Sequence, residues 1–206
     1  MDASLAFLYL AGSLLGYYAL HSALATAAVK RRVERHFPRL YAHYRLFYNG
    51  LALLALAAIA WLYAVLPFGK WLWPPAWPTV LPGVVLLLLG FLLAYYGFKG
   101  YRWREFAGLE KRPPRHEQLQ TTGLNAWVRH PLYSGTVLLL LGLVLVLGHE
   151  KVVLFSGISL LYLLVGSRWE ERKLMCQFGS TYKKYRREVG YLTPRLKTIQ
   201  TKMFKT

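Results

Sequence analysis

Apolar residues in this chain gather into long runs, without the short-period alternation of a water-soluble core. Five runs stand out: Leu5 to Val29, Leu46 to Leu66, Val80 to Phe98, Leu132 to Gly148 and Val152 to Ser167. At about 1.5 Å per residue the first three are long enough to cross a hydrocarbon layer of roughly 30 Å. The last two reach only about 25 Å each. The tight Gly148-His149-Glu150-Lys151 turn between them predicts a short antiparallel hairpin. After Ser167 the pattern changes. Glu171, Leu174, Phe178, Tyr182, Tyr185 and Val189 recur at steps of three and four, as one stripe of a helix would, with Gly179 offering close packing or a break within it. Arg172, Lys173, Lys183, Lys184, Arg186 and Arg187 fall on the other face. An amphipathic helix on a membrane surface has this pattern.

The expected fold is therefore an all-α integral membrane protein with five transmembrane helices, the last two a short hairpin, followed by an amphipathic cytoplasmic helix. It is read as one domain: a three-helix scaffold over 1–98, a cytoplasmic loop over 99–131, the hairpin over 132–167 and a cytoplasmic region over 168–206. The first run lacks a basic leader and is read as a retained membrane helix, not a signal peptide.

Charge orients these spans. The chain has 26 Lys and Arg against 9 Asp and Glu, a net charge of +17. Every basic residue except Lys70 and Lys151 lies in the segments 30–45, 99–129 and 168–206. The positive-inside rule assigns those segments to the cytoplasm, so the N-terminus is expected outside and the C-terminus inside. An inner membrane of a bacterium or archaeon fits this reading. Basic residues confined to loops between apolar runs favour lipid headgroups over nucleic acid. The single cysteine, Cys176, excludes an intrachain disulfide and a cysteine-based zinc site. His21, His36, His43, His116, His130 and His149 are too scattered for a di-iron centre, and no metal is expected. Trp71, Trp73 and Trp77, among Pro67, Pro74, Pro75 and Pro78, read as an interfacial aromatic belt, with substrate gating the lesser alternative.

Two clusters carry the candidate chemistry. Arg129-His130-Pro131 opens the fourth run, and proline suits the first turn of a helix because its missing N–H would be unpaired there. Arg129 and His130 thus sit at a helix N-terminus, which favours anions, although a basic anchor reaching for headgroups explains them equally well. Glu170 and Glu171 follow the fifth run, and ionisable residues at the end of a span are functional candidates by default. The hairpin brings both clusters to one end, where a single pocket could hold a ligand bearing an ammonium and a carboxylate, or a ribose.

Arg129-His130-Pro131-x-Tyr133-x-Gly135, with Glu170-Glu171-x-x-Leu174-x-x-x-Phe178-Gly179-x-x-Tyr182-x-x-Tyr185-x-x-x-Val189 and Pro194, resembles the isoprenylcysteine carboxyl methyltransferase superfamily. That group includes membrane phospholipid N-methyltransferases and methanethiol S-methyltransferases. The resemblance covers roughly Gly123 to Pro194. It implies an integral membrane methyltransferase that binds S-adenosylmethionine near the cytoplasmic surface. By position it implies cofactor contacts from Gly123, Leu124, Arg129, His130, Pro131, Tyr133, Glu170, Glu171, Tyr182 and Tyr185. Glu171 and Arg168 are the implied catalytic residues, Arg168 or Arg172 holding an anionic substrate group. One departure is plain: Gly123-Leu124-Asn125 stands where the family often has Gly-Pro-Tyr.

A fainter resemblance to the methanethiol methyltransferase-like branch runs through His21-Ser22, Lys30 and Tyr44-Arg45-x-x-Tyr48-Asn49. It implies that His21 and Asn49 line the substrate site, with His21 accepting a proton. Taken singly, each reads more readily as an interhelical hydrogen bond, helped by close packing at Gly12-x-x-x-Gly16. The acceptor is expected to be lipophilic, or a small thiol, carboxylate or amine. An NADPH-dependent sterol-reductase-like enzyme and a non-catalytic membrane protein are the rival readings.

Overall fold

A computed structural model describes residues 3–41, 43–66, 69–99, 107, 109 and 118–195. His116, Pro67 and most basic residues of the 99–129 segment lie outside these residues. Among them the structure is helical: α1 (Ala3–Ala25), α2 (Ala27–His36), the single turn α3 (Pro38–Tyr41), α4 (Tyr44–Val65), α5 (Trp77–Lys99), a 3-10 turn at Gly123–Ala126, α6 (Pro131–Leu147) and α7 (Glu150–Glu188). Three of these helices, α4, α5 and α7, are long and apolar enough to cross a membrane, and α6 is a shorter apolar helix. The 23 residues of α1 include no Asp, Glu, Lys or Arg.

The helix ends correct the expected boundaries in three places. The first run was expected to continue to Val29, but the chain breaks at Thr26, whose extended backbone and side chain cap α2 by accepting from Val29 N. Hydropathy is blind to this cap because alanine and valine continue on both sides of it. The basic segment after it is itself helical over α2 and α3. The last run was expected to end at Ser167, yet α7 runs unbroken through Arg168 to Phe178. Charge marks where a helix leaves an apolar environment, but only a conformational breaker ends it. That breaker is Gly179, at φ 51°, ψ −122°. A Cβ there would meet nothing within 4 Å, so backbone conformation, not close packing, requires the glycine.

The chain forms two compact units, Met1–Leu72 with Tyr101–Pro114 and His149–Ile158, and Trp73–Gly100 with Arg115–Gly148 and Ser159–Thr206. In the first, α1 and α4 run antiparallel. Tyr44 donates to the carbonyl of Leu24, and Ala6 and Leu10 pack against Leu62, Tyr63, Leu66 and Leu154. Lys151 Nζ donates to the carbonyls of Tyr63 and Leu66, satisfying groups that the C-terminus of α4 leaves open. Gly12 and Gly16, expected to pack closely, have nothing within 4 Å of an added Cβ.

In the second unit the close packing is between α5 and α6. Gly83, Gly90 and Gly97 recur every seven residues and face Gly142, Gly135 and Pro131–Leu132, so the two helices run antiparallel with their backbones in near contact. A Cβ on Gly90 would lie 2.7 Å from the carbonyl oxygen of Gly135, and one on Gly135 would lie 2.7 Å from that of Gly90. Small residues permit this approach where water supplies no hydrophobic drive between helices. Trp73, expected in an aromatic belt, also donates from Nε1 to the carbonyl of Leu145 at 3.2 Å, tying the far end of α6.

Candidate functional site

Pro131 takes the first position of α6, as its missing N–H allows, and Gly148 closes that helix in the left-handed region at φ 53°. His130 is thereby held at the mouth of α6. The apolar stretch of α7 ends at Ser167, and the next turn of the same helix carries Glu170 and Glu171 back to that mouth. The two clusters meet directly, side chain to side chain.

Glu171 is the hub. Its side chain is 11% exposed. Arg129 donates to it from Nε at 2.9 Å and from a terminal nitrogen at 3.1 Å, His130 Nε2 donates at 2.8 Å, and the Tyr182 hydroxyl at 2.5 Å. Arg186 Nε stands 3.6 Å away. Burial alone would push the Glu171 carboxyl up. The hydrogen bonds from Arg129, Tyr182 and His130, with the Arg129 charge, outweigh it and hold the group down at about 2. Burial first, and then the hydrogen bond to Glu171, pushes the Tyr182 phenol up. Arg129 donates further to the carbonyls of Arg186 and Val189, at 3.2 and 2.6 Å.

This geometry revises the expected pocket. Arg129 and Glu171 were to face a ligand from opposite sides; instead they neutralise each other in a buried ion pair. A carboxylate with four donors on it and a depressed pKa is a poor proton acceptor. Tyr182, expected to contact a cofactor, is fully buried and aimed at Glu171. Tyr185, also buried, donates to the carbonyl of Asn125 at 2.6 Å and so fixes the 3-10 turn. Burial pushes the Tyr185 phenol up to about 12. The expected stripe does form an apolar core of Tyr182, Tyr185 and Val189, with Leu119, Leu174, Met175 and Phe178 packed on it.

The remaining expected residues are more open. Glu170 is 40% exposed, with Oε2 3.9 Å from His130 Nδ1. Tyr133 is half-buried, its ring 5.5 Å from that of His130. Gly123 is exposed at φ 61°, a conformation that favours glycine, and Leu124 beside it is half-buried. Pro131 is buried and Arg168 is exposed. In the first unit, Tyr48 and His21 Nε2 are hydrogen-bonded at 2.7 Å across α1 and α4, the interhelical bond that is the simpler reading of His21. The pair lies in a shallow cleft, open to its surroundings and lined by Tyr17, Leu20, Leu24, Leu51, Ala52 and Ala55. Asn49 donates to the carbonyl of Ala107 at 3.3 Å.

Three contributors carried no readable sequence signal. Tyr191 follows the helix in a short irregular segment, and Ser134 and Ser167 are small residues inside apolar runs. Ser134 Oγ donates to the carbonyls of His130 and Leu192. Ser167 is fully buried and paired with the Tyr191 hydroxyl at 2.5 Å.

Helices able to cross a membrane, with an ion cluster built just past the end of the last apolar stretch, define a membrane protein whose polar site adjoins its apolar helices. The family model for the NnrU protein matches residues 9–202, and the chain belongs to that family, within the isoprenylcysteine carboxyl methyltransferase-like superfamily of membrane methyltransferases. It is 31% identical over 196 residues to methanethiol S-methyltransferase 2 of Bradyrhizobium diazoefficiens, covering 85% of this chain and 68% of the relative. It is 30% identical over 200 residues to methanethiol S-methyltransferase of Mycobacterium tuberculosis, covering 88% of this chain and 75% of the relative. The corresponding Pseudomonas sp. protein is 30% identical, with 90% and 72% covered. No solved structure matches the chain.

Proposed function

We propose that this chain is an S-adenosylmethionine-dependent membrane methyltransferase whose acceptor is a small apolar thiol. The likeness carrying this reading extends over 88% of the chain to a protein named methanethiol S-methyltransferase. The donor set at the mouth of α6 suits the cofactor. Glu170 offers a half-exposed carboxylate for ribose hydroxyls or an ammonium group, and the rings of His130 and Tyr133 offer polarisable faces to a cation. When bound, S-adenosylmethionine supplies an electrophilic methyl group on a sulfonium.

In this reading Glu170, Tyr133, His130 and the Gly123–Leu124 turn contact the cofactor, while Arg129, Glu171, Tyr182 and Tyr185 are positioning residues. Glu171 holds the His130 ring through Nε2 and leaves Nδ1 toward Glu170. Positioning is a sufficient contribution, because displacement at a methyl carbon needs alignment and exclusion of water more than acid–base help. Arg168 is exposed on the same helix and is assigned to an anionic group of a ligand. A neutral thiol must lose its proton, and the fainter resemblance through His21-Ser22 assigns that role to His21. Five spans, through α1, α4, α5, α6 and the Val152–Ser167 part of α7, with the basic segments cytoplasmic, complete the proposal.

The test is methyl transfer by purified protein in lipid nanodiscs. Methyl-labelled S-adenosylmethionine is supplied with methanethiol, a prenylcysteine analogue or phospholipid, and NADPH binding is measured alongside. Labelled dimethyl sulfide is the expected product. Absence of adenosylmethionine binding, or NADPH binding in its place, overturns the cofactor assignment; transfer only to the larger acceptors overturns the thiol.

A further inference from the structure

The chain after α7 does not leave the site. Gly190, Tyr191 and Leu192 lie across the entrance to α6. Arg129 N donates to the Gly190 carbonyl at 2.8 Å, His130 N to the Tyr191 carbonyl at 3.3 Å, and Ser134 Oγ to the Leu192 carbonyl at 2.7 Å. Three consecutive carbonyls of one strap thus receive donors from the Arg129–Ser134 element. The strap also places one ring. The Tyr191 side chain meets the His130 ring edge to face, with centroids 5.2 Å apart, and lies 5.4 Å from the Arg129 guanidinium carbon over its face. Its hydroxyl is anchored on the buried Ser167 of α7.

His130 is therefore held at its Nε2 by Glu171, at its backbone N–H by the strap, and at its ring by Tyr191 and Tyr133, with Glu170 3.9 Å from Nδ1. Glu171 fixes only one atom, about which an imidazole can still tilt. Contacts on the ring set its plane: Tyr133 supplies one, and Tyr191, held by the strap and by Ser167, supplies another. We infer that Tyr191 is a positioning residue that sets the plane of the His130 imidazole, and that its aromatic ring, more than its hydroxyl, does this. The inference rests on the cofactor reading above for its functional consequence, but not for its geometry.

The experiment compares Tyr191→Phe, Tyr191→Leu and Tyr191→Met with the parent protein in nanodiscs, using two readouts. The first is the His130 Cε1–H resonance in histidine-labelled protein without cofactor, assigned with His130→Gln; it reports the Tyr191 ring current. The second is S-adenosylmethionine affinity by calorimetry, with KM and kcat measured separately. An aromatic contact of this kind corresponds to about five- to tenfold in binding. Expected results are a displaced His130 resonance, about five- to tenfold weaker binding and a KM raised with little change in kcat for Leu and Met. Phe should restore the resonance and bring affinity within about twofold of the parent, since it retains the ring. Met keeps more side-chain length than Leu and serves if Leu does not fold. An unmoved resonance in Met, or a Phe variant as impaired as Met, overturns the inference. If the parent binds no S-adenosylmethionine, the functional proposal fails, while the resonance still tests the contact between the two rings.

Discussion

Replacing Glu171 by alanine should cost more stability than any substitution on the exposed basic face of α7. Two independent routes give its magnitude. The carboxyl is held at about 2 against a reference of 4.5; at about 1.4 kcal/mol per pKa unit, this is on the order of 3 kcal/mol. Removing one partner of a buried ion pair, here stranding Arg129 at 9% exposure, costs about 3–5 kcal/mol. For a chain of this size the midpoint of thermal unfolding should fall by about 10 °C. The assay is tryptophan fluorescence during heating in detergent at pH 7. Because the folded pKa is depressed, this stabilisation is complete above pH 4.5 and is lost as pH falls from there through about 2. The parent should therefore lose stability steeply across that window, and Glu171→Ala should lose much less. Arg129→Leu combined with Glu171→Leu should recover much of either single loss, since no buried charge is then left unpaired. A Glu171→Ala midpoint within about 1 °C of the parent, or strictly additive losses in the double variant, would refute the reasoning.

Gly135→Ala should lower stability by about 1–3 kcal/mol, because the new Cβ meets backbone atoms of α5 and neither helix can give way. Gly12→Ala, with open space around it, should stay within about 0.5 kcal/mol or gain slightly from helix propensity, and equal losses at the two sites would count against the packing argument. Tyr182→Phe removes one of the hydrogen bonds holding Glu171 down. It should cost about 2 kcal/mol in thermal unfolding, and because the folded pKa rises while the unfolded one stays, the acid-induced loss should begin at the same pH, be smaller and end at higher pH. Glu170→Gln should unfold within about 0.5 kcal/mol of the parent yet bind S-adenosylmethionine at least about tenfold more weakly in calorimetry; unchanged affinity would remove Glu170 from the cofactor site.

Much of this architecture was legible in order of residues alone. Apolar runs have to be helical because a membrane leaves backbone groups no other partner, and their lengths located α4, α5 and α6 to within a few residues. Pro131 at a helix start, Gly148 at a helix end and the Tyr182-Tyr185-Val189 stripe are local rules of one helix, and each stands where those rules put it. The likeness of Arg129-His130-Pro131 and Glu170-Glu171 to a family pattern pointed to side chains that the fold brings together.

What the one-dimensional pattern left open is pairwise. Hydropathy cannot tell that Gly90 faces Gly135 while Gly12 and Gly16 face open space, because a glycine's partner belongs to another helix. Nor can it tell that Arg129 and Glu171, some forty positions apart, form an ion pair. The continuity of α7 past Ser167 decides that outcome, since it carries Glu171 one turn beyond the apolar stretch and onto His130. Tyr191 was invisible for the same reason: its ring matters only once the strap lies across α6. Sequence by itself determined that this is a helical membrane protein with ionisable residues at one end of its last helices. Only the tertiary structure decided which of those residues bind each other and which, like Glu170, still face outward, because Coulomb and hydrogen-bond energies depend on distances that the chain order does not contain.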